Sequence, residues 1–176
     1  DTMEMMGAVS ESFDLHRVND GKAIEQLKLF DGTFVLNVED ESSKINVNYF
    51  ALAKGTEVRL MLEALMSCPA EKAYLESIDV DGIELVGKIK DWVDENRKAD
   101  PKSGTSSEDD PYISKEPRYK AKNAPFDSLD ELKMIDGWTD EIHTIFSPFM
   151  TVFPFQKGNW EKGKVNINTA NKNMLL

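Results

Sequence analysis

Residues 82–93, together with the polar segment that follows them, constrain the fold more than any other part of the sequence. Apolar side chains recur there at near-helical spacing, at Leu85, Ile89, Trp92 and Val93. Side chains at this spacing can share one buried face of a helix. The stretch 97–119 then has few apolar residues. The sequence therefore predicts a buried helix that leads into a long polar loop.

This polar loop and the end of the helix are rich in carboxylate and amide side chains: Asp94, Glu95, Asn96, Asp100, Glu108, Asp109 and Asp110. Calcium binds several oxygen atoms, from carboxylates, amide carbonyls and the backbone, and a loop can supply them. Acidic runs are also common on solvated surfaces that bind no ion. Composition alone leaves both interpretations open.

The overall charge argues against one class of function. The chain of 176 residues has 32 acidic and 21 basic side chains, and its formal net charge is -11. Binding to nucleic acid requires clustered Lys and Arg that neutralise phosphates. We therefore expect no nucleic-acid partner, although the segment 123–137 has the sequence pattern of a helix-hairpin-helix unit. The sequence also lacks a nucleophile motif and a phosphate-binding Gly-rich loop, so it predicts no enzyme.

The chain changes its pattern near residue 45. Before that point, 13–18 alternates apolar and polar residues, and 33–39 is rich in β-branched and aromatic residues, which predicts strands. After it, helices are predicted over 56–66, 70–77, 82–93, 128–135 and 139–145, with a last helix opening at 164. Thr56 is the predicted N-cap of one of these helices, Ser128 and Glu131 form a predicted capping box, and Gly137 is a predicted C-cap.

Two segments share the pattern apolar-Asn-apolar-Asn, at 45–48 and at 165–168. The second Asn of each can cap a following helix turn. The two segments are either independent helix entries or short strands that pair with each other and bracket the helical region. We favour the pairing.

Several of these blocks together resemble the general secretion pathway protein K family, the large minor pseudopilins of bacterial type II secretion systems. The blocks are Asp91-Trp-Val-Asp94-Glu-Asn96, Ser107-Glu-Asp-Asp-Pro-Tyr112, Tyr119-Lys-Ala-Lys-Asn123-Ala-Pro125, Ser128-Leu-Asp-Glu131-Leu132 and Val165-Asn-Ile-Asn-Thr-Ala170. Asn96 stands where the family has Asp. The earlier Lys44-Ile-Asn46-Val-Asn48 resembles the block that follows a strand in the family. The matches run in order from residue 33 to residue 170.

The resemblance implies an α+β fold in which a small pilin-like β unit has a large helical domain inserted into it, with a helix-hairpin-helix or SAM-like lobe. Residues 1–44 would belong to the pilin-like β region and residues 45–176 to the helical insertion domain, with the closing pilin strands absent from this chain.

The resemblance also implies a site and a function. Calcium would be held by Asp94, Asn96, Glu108 and Asp109. The protein would form the tip of the pseudopilus, a structural role in protein secretion, with other minor pseudopilins and possible secreted proteins as partners. It would lie in the periplasm of a Gram-negative bacterium, anchored in the inner membrane by an N-terminal helix upstream of Asp1. An alternative is a calcium-dependent periplasmic binding module that recruits exported proteins.

Overall fold

The structure is a computed structural model that describes residues 39–51, 55–157, 159 and 163–171. The predicted strand at 13–18, and all but the last residue of the one at 33–39, lie outside the described residues. The division between 1–44 and 45–176 therefore stays a prediction. The residues from Glu41 onward form a compact unit of their own, which the following paragraphs describe.

Helices are the main regular elements of this unit, and two very short strands pair with each other. The α-helices are α1 (Gly55–Met66), α2 (Pro69–Ser77), α3 (Gly82–Val93), α4 (Asp110–Ile113) and α5 (Asp140–Phe146). Short 3₁₀ helices lie at Glu41–Ser43, Val47–Ala51, Leu129–Met134 and Ser147–Phe149. The strands are β1 (Ile45–Asn46) and β2 (Met150–Thr151). At this level the predicted α+β class is confirmed. None of the helices in the described part of the chain is both long and apolar enough to cross a membrane.

Helix α3 lies at the centre of the core, packed against α1 and the 3₁₀ helix Val47–Ala51. It begins at Gly82 because the side chain of Asp81 accepts hydrogen bonds from the backbone N–H groups of Ile83 and Glu84, as an N-cap does. Its predicted apolar face is confirmed, since Leu85, Ile89, Trp92 and Val93 are each at most 2% exposed. Each such side chain contributes about 1.5–3 kcal/mol by its burial.

The polar loop packs directly on α3 at Gly87. A Cβ atom added to Gly87 would lie 2.7 Å from the backbone nitrogen of Ser103. A side chain at this position would therefore push the loop away from the helix. The absence of a side chain at residue 87 is what allows the loop and α3 to come so close.

The predicted pairing of the two Asn-containing segments is wrong. Strand β1 instead pairs in parallel with β2, with Ile45 opposite Met150 and Asn46 opposite Thr151. The segment 165–168 contacts the start of the unit through another bond, from the backbone nitrogen of Asn166 to the carbonyl of Ser42 at 2.7 Å.

The predicted capping by the second Asn of each pattern is also wrong, because the first Asn has this role. Asn46 Oδ1 accepts from the backbone nitrogen of Asn48 at 3.1 Å, and Asn166 Oδ1 accepts from that of Asn168 at 3.2 Å. Both are turns closed by an Asn side chain two residues earlier. Asn48 is 2% exposed and binds distant backbone instead, donating to the carbonyls of Phe126 and Val152 and accepting from the nitrogen of Phe126.

The helix-end predictions have mixed outcomes. Ser128 and Glu131 form the predicted capping box, although the helix that it starts is a 3₁₀ helix. Thr56 is no N-cap, because α1 already begins at Gly55. Gly137 adopts the expected left-handed conformation, with φ of 84°, but lies three residues beyond the end of the preceding helix at Met134. In place of the predicted last helix, the described residues 164–171 form a single turn around Asn166.

Candidate functional site

Three buried carboxylates gather where α3 ends and the polar loop returns to it. Asp91 lies in the last turn of α3, and Asp94 is its C-cap residue. Residues three apart lie on neighbouring positions of a helix surface. Glu108 comes from the far side of the loop. Asp91 and Glu108 are each 3% exposed, and Asp94 is 7% exposed.

Two of these carboxylates have an oxygen without a hydrogen-bond partner among the described residues. Asp91 Oδ1 accepts from the backbone nitrogen of Asp100 at 2.7 Å, and the hydroxyl of Ser103 lies close enough to lower the pKa of Asp91, but Asp91 Oδ2 makes no hydrogen bond of ordinary length. Glu108 Oε1 likewise has none. A buried polar atom that has lost its water and gained no partner destabilises the folded state. These two oxygens are therefore the strongest structural indication that a ligand binds here.

The pKa values of all three carboxylates are raised. Burial, and after it the nearby charges of Asp91 and Asp94, together raise the pKa of Glu108 to about 7. Burial is also the main cause that raises the pKa of Asp91 and that of Asp94. A positive ion would relieve both effects, because it compensates for the lost hydration and for the mutual repulsion.

The neighbouring Asp100 shows that the lack of compensating positive charge is confined to one part of the acidic loop. Arg59 Nη2 lies 2.6 Å from Asp100 Oδ2, and Lys90 Nζ lies 2.9 Å from the same oxygen. Burial alone would raise the pKa of Asp100, but its hydrogen bonds and the charges of Lys90 and Arg59 hold it below the ordinary value. The protein thus neutralises one side of the acidic loop with its own cations, whereas Asp91 and Glu108 have no such partner in the part of the chain that the structure describes.

The structure brings together three of the four predicted ligands, Asp94, Asn96 and Glu108. Asp94 Oδ1 accepts from the backbone nitrogen and from the amide nitrogen of Asn96, at 3.2 and 2.7 Å. The amide oxygen of Asn96 in turn accepts from the backbone nitrogen of Lys98 at 2.8 Å. Asp109 points elsewhere: its Oδ1 accepts from the backbone nitrogen of Ala121, and its Oδ2 lies 3.5 Å from Lys120 Nζ.

Asn123 joins the two sides of the loop and was not predicted as a site residue. Its backbone has a φ of 50°, a left-handed conformation that Asn tolerates better than most residues. Three acceptors surround one end of the side-chain amide, which assigns its nitrogen to that end, 2.7 Å from Glu108 Oε2, 2.7 Å from the carbonyl oxygen of Asn96 and 3.1 Å from that of Asp94. This single amide therefore fixes Glu108 against the end of α3.

Asp91 was missed as well, although the sequence contains a signal for it. It is a carboxylate three residues before Asp94, within the last turn of a helix whose other buried side chains are apolar. A charged side chain in such a place has to find a partner inside the protein.

Three aromatic side chains pack together at the end of α3. The ring of Trp92 meets that of Tyr112 edge-on, with centroids 5.4 Å apart, and that of Tyr119 at 6.3 Å. The two tyrosine rings stack at 5.1 Å. Trp92 belongs to α3 and both tyrosines belong to the segment that follows it, so this cluster joins the loop to the helix.

The oxygen atoms at this site are of the kind that calcium prefers, but the side chains alone do not provide a full coordination shell. The described residues contain no group of three His, Cys, Asp or Glu placed to hold one metal ion. The unpaired oxygens of Asp91 and Glu108 and the carbonyl oxygens near Asn123 are all hard donors. The residues therefore fit a cation that takes part of its coordination from backbone or water, and the predicted calcium site stays a prediction.

Comparisons with known proteins add an independent observation. Residues 43–155 match the family model of type II secretion system (T2SS), protein K. Among solved structures, the chain is similar to one in the crystal structure of the GspK-GspI-GspJ complex from the type 2 secretion system of enterotoxigenic Escherichia coli. The TM-score is 0.57 at 16% identity, over 99% of this chain and 66% of that chain. At this identity the likeness shows the fold, and this chain spans just under two thirds of the length of the other. No curated protein is significantly similar to the sequence.

Proposed function

The chain belongs to the type II secretion system protein K family, and we propose that it is a minor pseudopilin with a structural role at the tip of the pseudopilus. The observation that carries this proposal is the match over 43–155, which includes every α-helix described above. The protein with the similar fold was solved in a complex of GspK, GspI and GspJ. The corresponding minor pseudopilins are therefore the partners to test.

In this proposal the helical unit is the lobe inserted into a pilin-like β unit. A domain can be inserted into another when its two ends lie close together, because the host then accommodates it as it would a surface loop. The described unit meets this condition. Ser42, near its start, accepts a hydrogen bond from the backbone nitrogen of Asn166, near the end of the described residues. We infer that this lobe provides bulk at the end of the fibre and catalyses no reaction.

The proposed location follows from the family. A pseudopilin is a periplasmic component anchored in the inner membrane, and we propose the same for the protein that contains this chain. The anchor would be an apolar helix of about 20 residues. Its presence can be read directly from the sequence that precedes Asp1.

We also propose that the acidic loop holds calcium, with Asp91, Asp94 and Glu108 supplying negative charge. The ion would act as a countercharge and would stiffen the junction between α3 and the loop. Asp91 and Glu108 would offer their unpaired oxygens, and Asn123 would keep Glu108 in place. The alternative function, a calcium-dependent module that recruits exported proteins, has no observation in its favour.

The experiment that tests the main proposal is reconstitution with the minor pseudopilins of the same genome. The periplasmic regions of the GspI and GspJ homologues are purified, mixed with this chain singly and together, and analysed by size-exclusion chromatography with light scattering. We expect a stable complex that contains one copy of this chain. If the chain elutes alone in every mixture at concentrations of tens of micromolar, while the two homologues still bind each other, the proposed role is wrong.

A further inference from the structure

A groove lies between the end of α1, helix α2 and the start of α3. Its volume is about 570 Å³. The apolar side chains of Val80 and Ile83 line it, and Ile83 is 43% exposed. Met66 and Leu75 lie beneath them as part of the core, at 3% and 2% exposed. The groove exists because the three helices meet closely at one point: a Cβ atom on Gly82 would lie 3.0 Å from Met66 Cβ and 3.1 Å from Leu75 Cδ1.

Carboxylates surround this apolar floor. The acidic residues that line the groove are Glu76, Asp79, Asp81 and Glu84, and the basic residue that lines it is Lys72. Lys72 lies 3.7 Å from Glu76, and Glu84 lies 3.2 Å from Lys88. Asp79 and Asp81 have no ion pair within the described residues, and both are exposed.

The local backbone holds these two charges at the rim. Asp79 has a φ of 57°, in the turn between α2 and α3. Asp81 caps α3 through one carboxylate oxygen, Oδ1, which accepts from the nitrogen of Ile83 at 2.7 Å and from that of Glu84 at 3.3 Å. The charge of Asp81 is thus fixed in position, while its other oxygen is free to bind a cationic group.

We propose that this groove binds a short basic peptide segment of a partner protein, with an apolar side chain on the floor and Lys or Arg beside Asp79 and Asp81. Charge complementarity selects this occupant. A second copy of the chain, with its net charge of -11, would place acidic surface against an acidic rim, and nucleic acid would be repelled for the same reason. The inference rests on the lining of the groove and does not depend on the function proposed above.

The test measures binding of a rhodamine-labelled peptide, Gly-Lys-Leu-Phe-Lys-Arg-Gly, by fluorescence anisotropy at low ionic strength. The control peptide has Glu in place of each basic residue. The groove variant is Asp79→Asn with Asp81→Asn, which removes two charges and preserves the fold, because Asn tolerates a left-handed φ and caps helices as well as Asp does. The matched variant is Asp130→Asn with Asp140→Asn, which removes two charges outside the groove.

We expect saturable binding of the basic peptide to the wild-type chain and to the matched variant, and about fivefold weaker binding to the groove variant, from two exposed ion pairs. Ile83→Ser should weaken binding as well, because it removes an apolar wall of the groove. The proposal is overturned if the basic peptide does not saturate the wild-type chain, if the acidic peptide binds equally well, or if the two double variants bind alike. It is also overturned if the chain dimerises and Ile83→Ser abolishes the dimer, since the groove would then be an interface between copies.

Discussion

Replacing Glu108 by Gln removes the charge of the most strongly perturbed carboxylate in the acidic loop and keeps its size. Folding raises the pKa of Glu108 from 4.5 to about 7, first through burial and then through the charges of Asp91 and Asp94. Between pH 4.5 and about pH 7, Glu108 loses its proton in the unfolded chain but keeps it in the folded chain. The free energy of unfolding therefore falls as pH rises through this window and levels off above it. At about 1.4 kcal/mol per pH unit, the loss amounts to at most about 3 kcal/mol.

The Gln variant cannot lose this stability, because it has no proton to release. With EDTA present, we expect the wild-type chain and Glu108→Gln to be similarly stable near pH 4.5. Above about pH 7.5, the variant should be more stable by up to about 3 kcal/mol, or about 6–12 °C in Tm for a domain of this size. The assay is urea unfolding followed by tryptophan fluorescence, repeated across this pH range. Other titrating groups affect both chains, so the difference between the two curves isolates Glu108.

The control is Glu141→Gln, an exposed residue of α5, which should not become more stable than the wild-type chain above pH 7.5. If the wild-type chain and Glu108→Gln lose stability in parallel between pH 4.5 and 7.5, Glu108 is not held in an unfavourable environment. The case for a countercharge at this site would then have no energetic basis.

Three further predictions concern the loop and the core. At pH 8, calcium at about 100 times its Kd should stabilise the wild-type chain by about 2.7 kcal/mol and Glu108→Gln by clearly less. If calcium raises the Tm of both chains equally, the ion binds elsewhere. Gly87→Ala should destabilise the fold by about 1–3 kcal/mol in urea unfolding, because the added Cβ meets the backbone of Ser103. Helix propensity alone would favour Ala by about 1 kcal/mol, so a stabilised variant would contradict the close packing. Asn48→Ala should cost about 2–4 kcal/mol, since it leaves buried backbone groups of Phe126 and Val152 unpaired; a cost below about 1 kcal/mol would show that water replaces the amide.

The parts of the fold that sequence could predict are those fixed by short-range patterns. The buried face of α3 follows from the spacing of Leu85, Ile89, Trp92 and Val93, and the capping box from Ser128 and Glu131, because these residues meet within one or two helical turns. The apolar-Asn-apolar-Asn pattern at 45–48 led to a wrong prediction, because its second Asn does not cap the following turn. Asn48 finds its partner at Phe126, 78 positions later, and no local rule reveals which distant backbone group a buried amide will bind.

The candidate site shows the same limit. The loop residues Asp94 and Glu108 were predicted to share a site and do come together. Asp109, however, binds the nitrogen of Ala121, and the buried Asp91 belongs to a helix that was interpreted by its apolar face. The path of the acidic loop decides which of its carboxylates keeps an unpaired oxygen. Gly87 and Asn123 set this path here, and neither of them carries a charge.

The aromatic cluster of Trp92, Tyr112 and Tyr119 gives this chain a built-in optical probe. The indole is buried and next to Asp91 in the sequence, and its N–H has no acceptor among the described residues. Its emission should consequently respond to small displacements of the two phenol rings when the loop tightens or loosens. Stopped-flow mixing of the unlabelled protein with a chelator could then time the release of an ion, and energy transfer from tyrosine to tryptophan would report on the same motion.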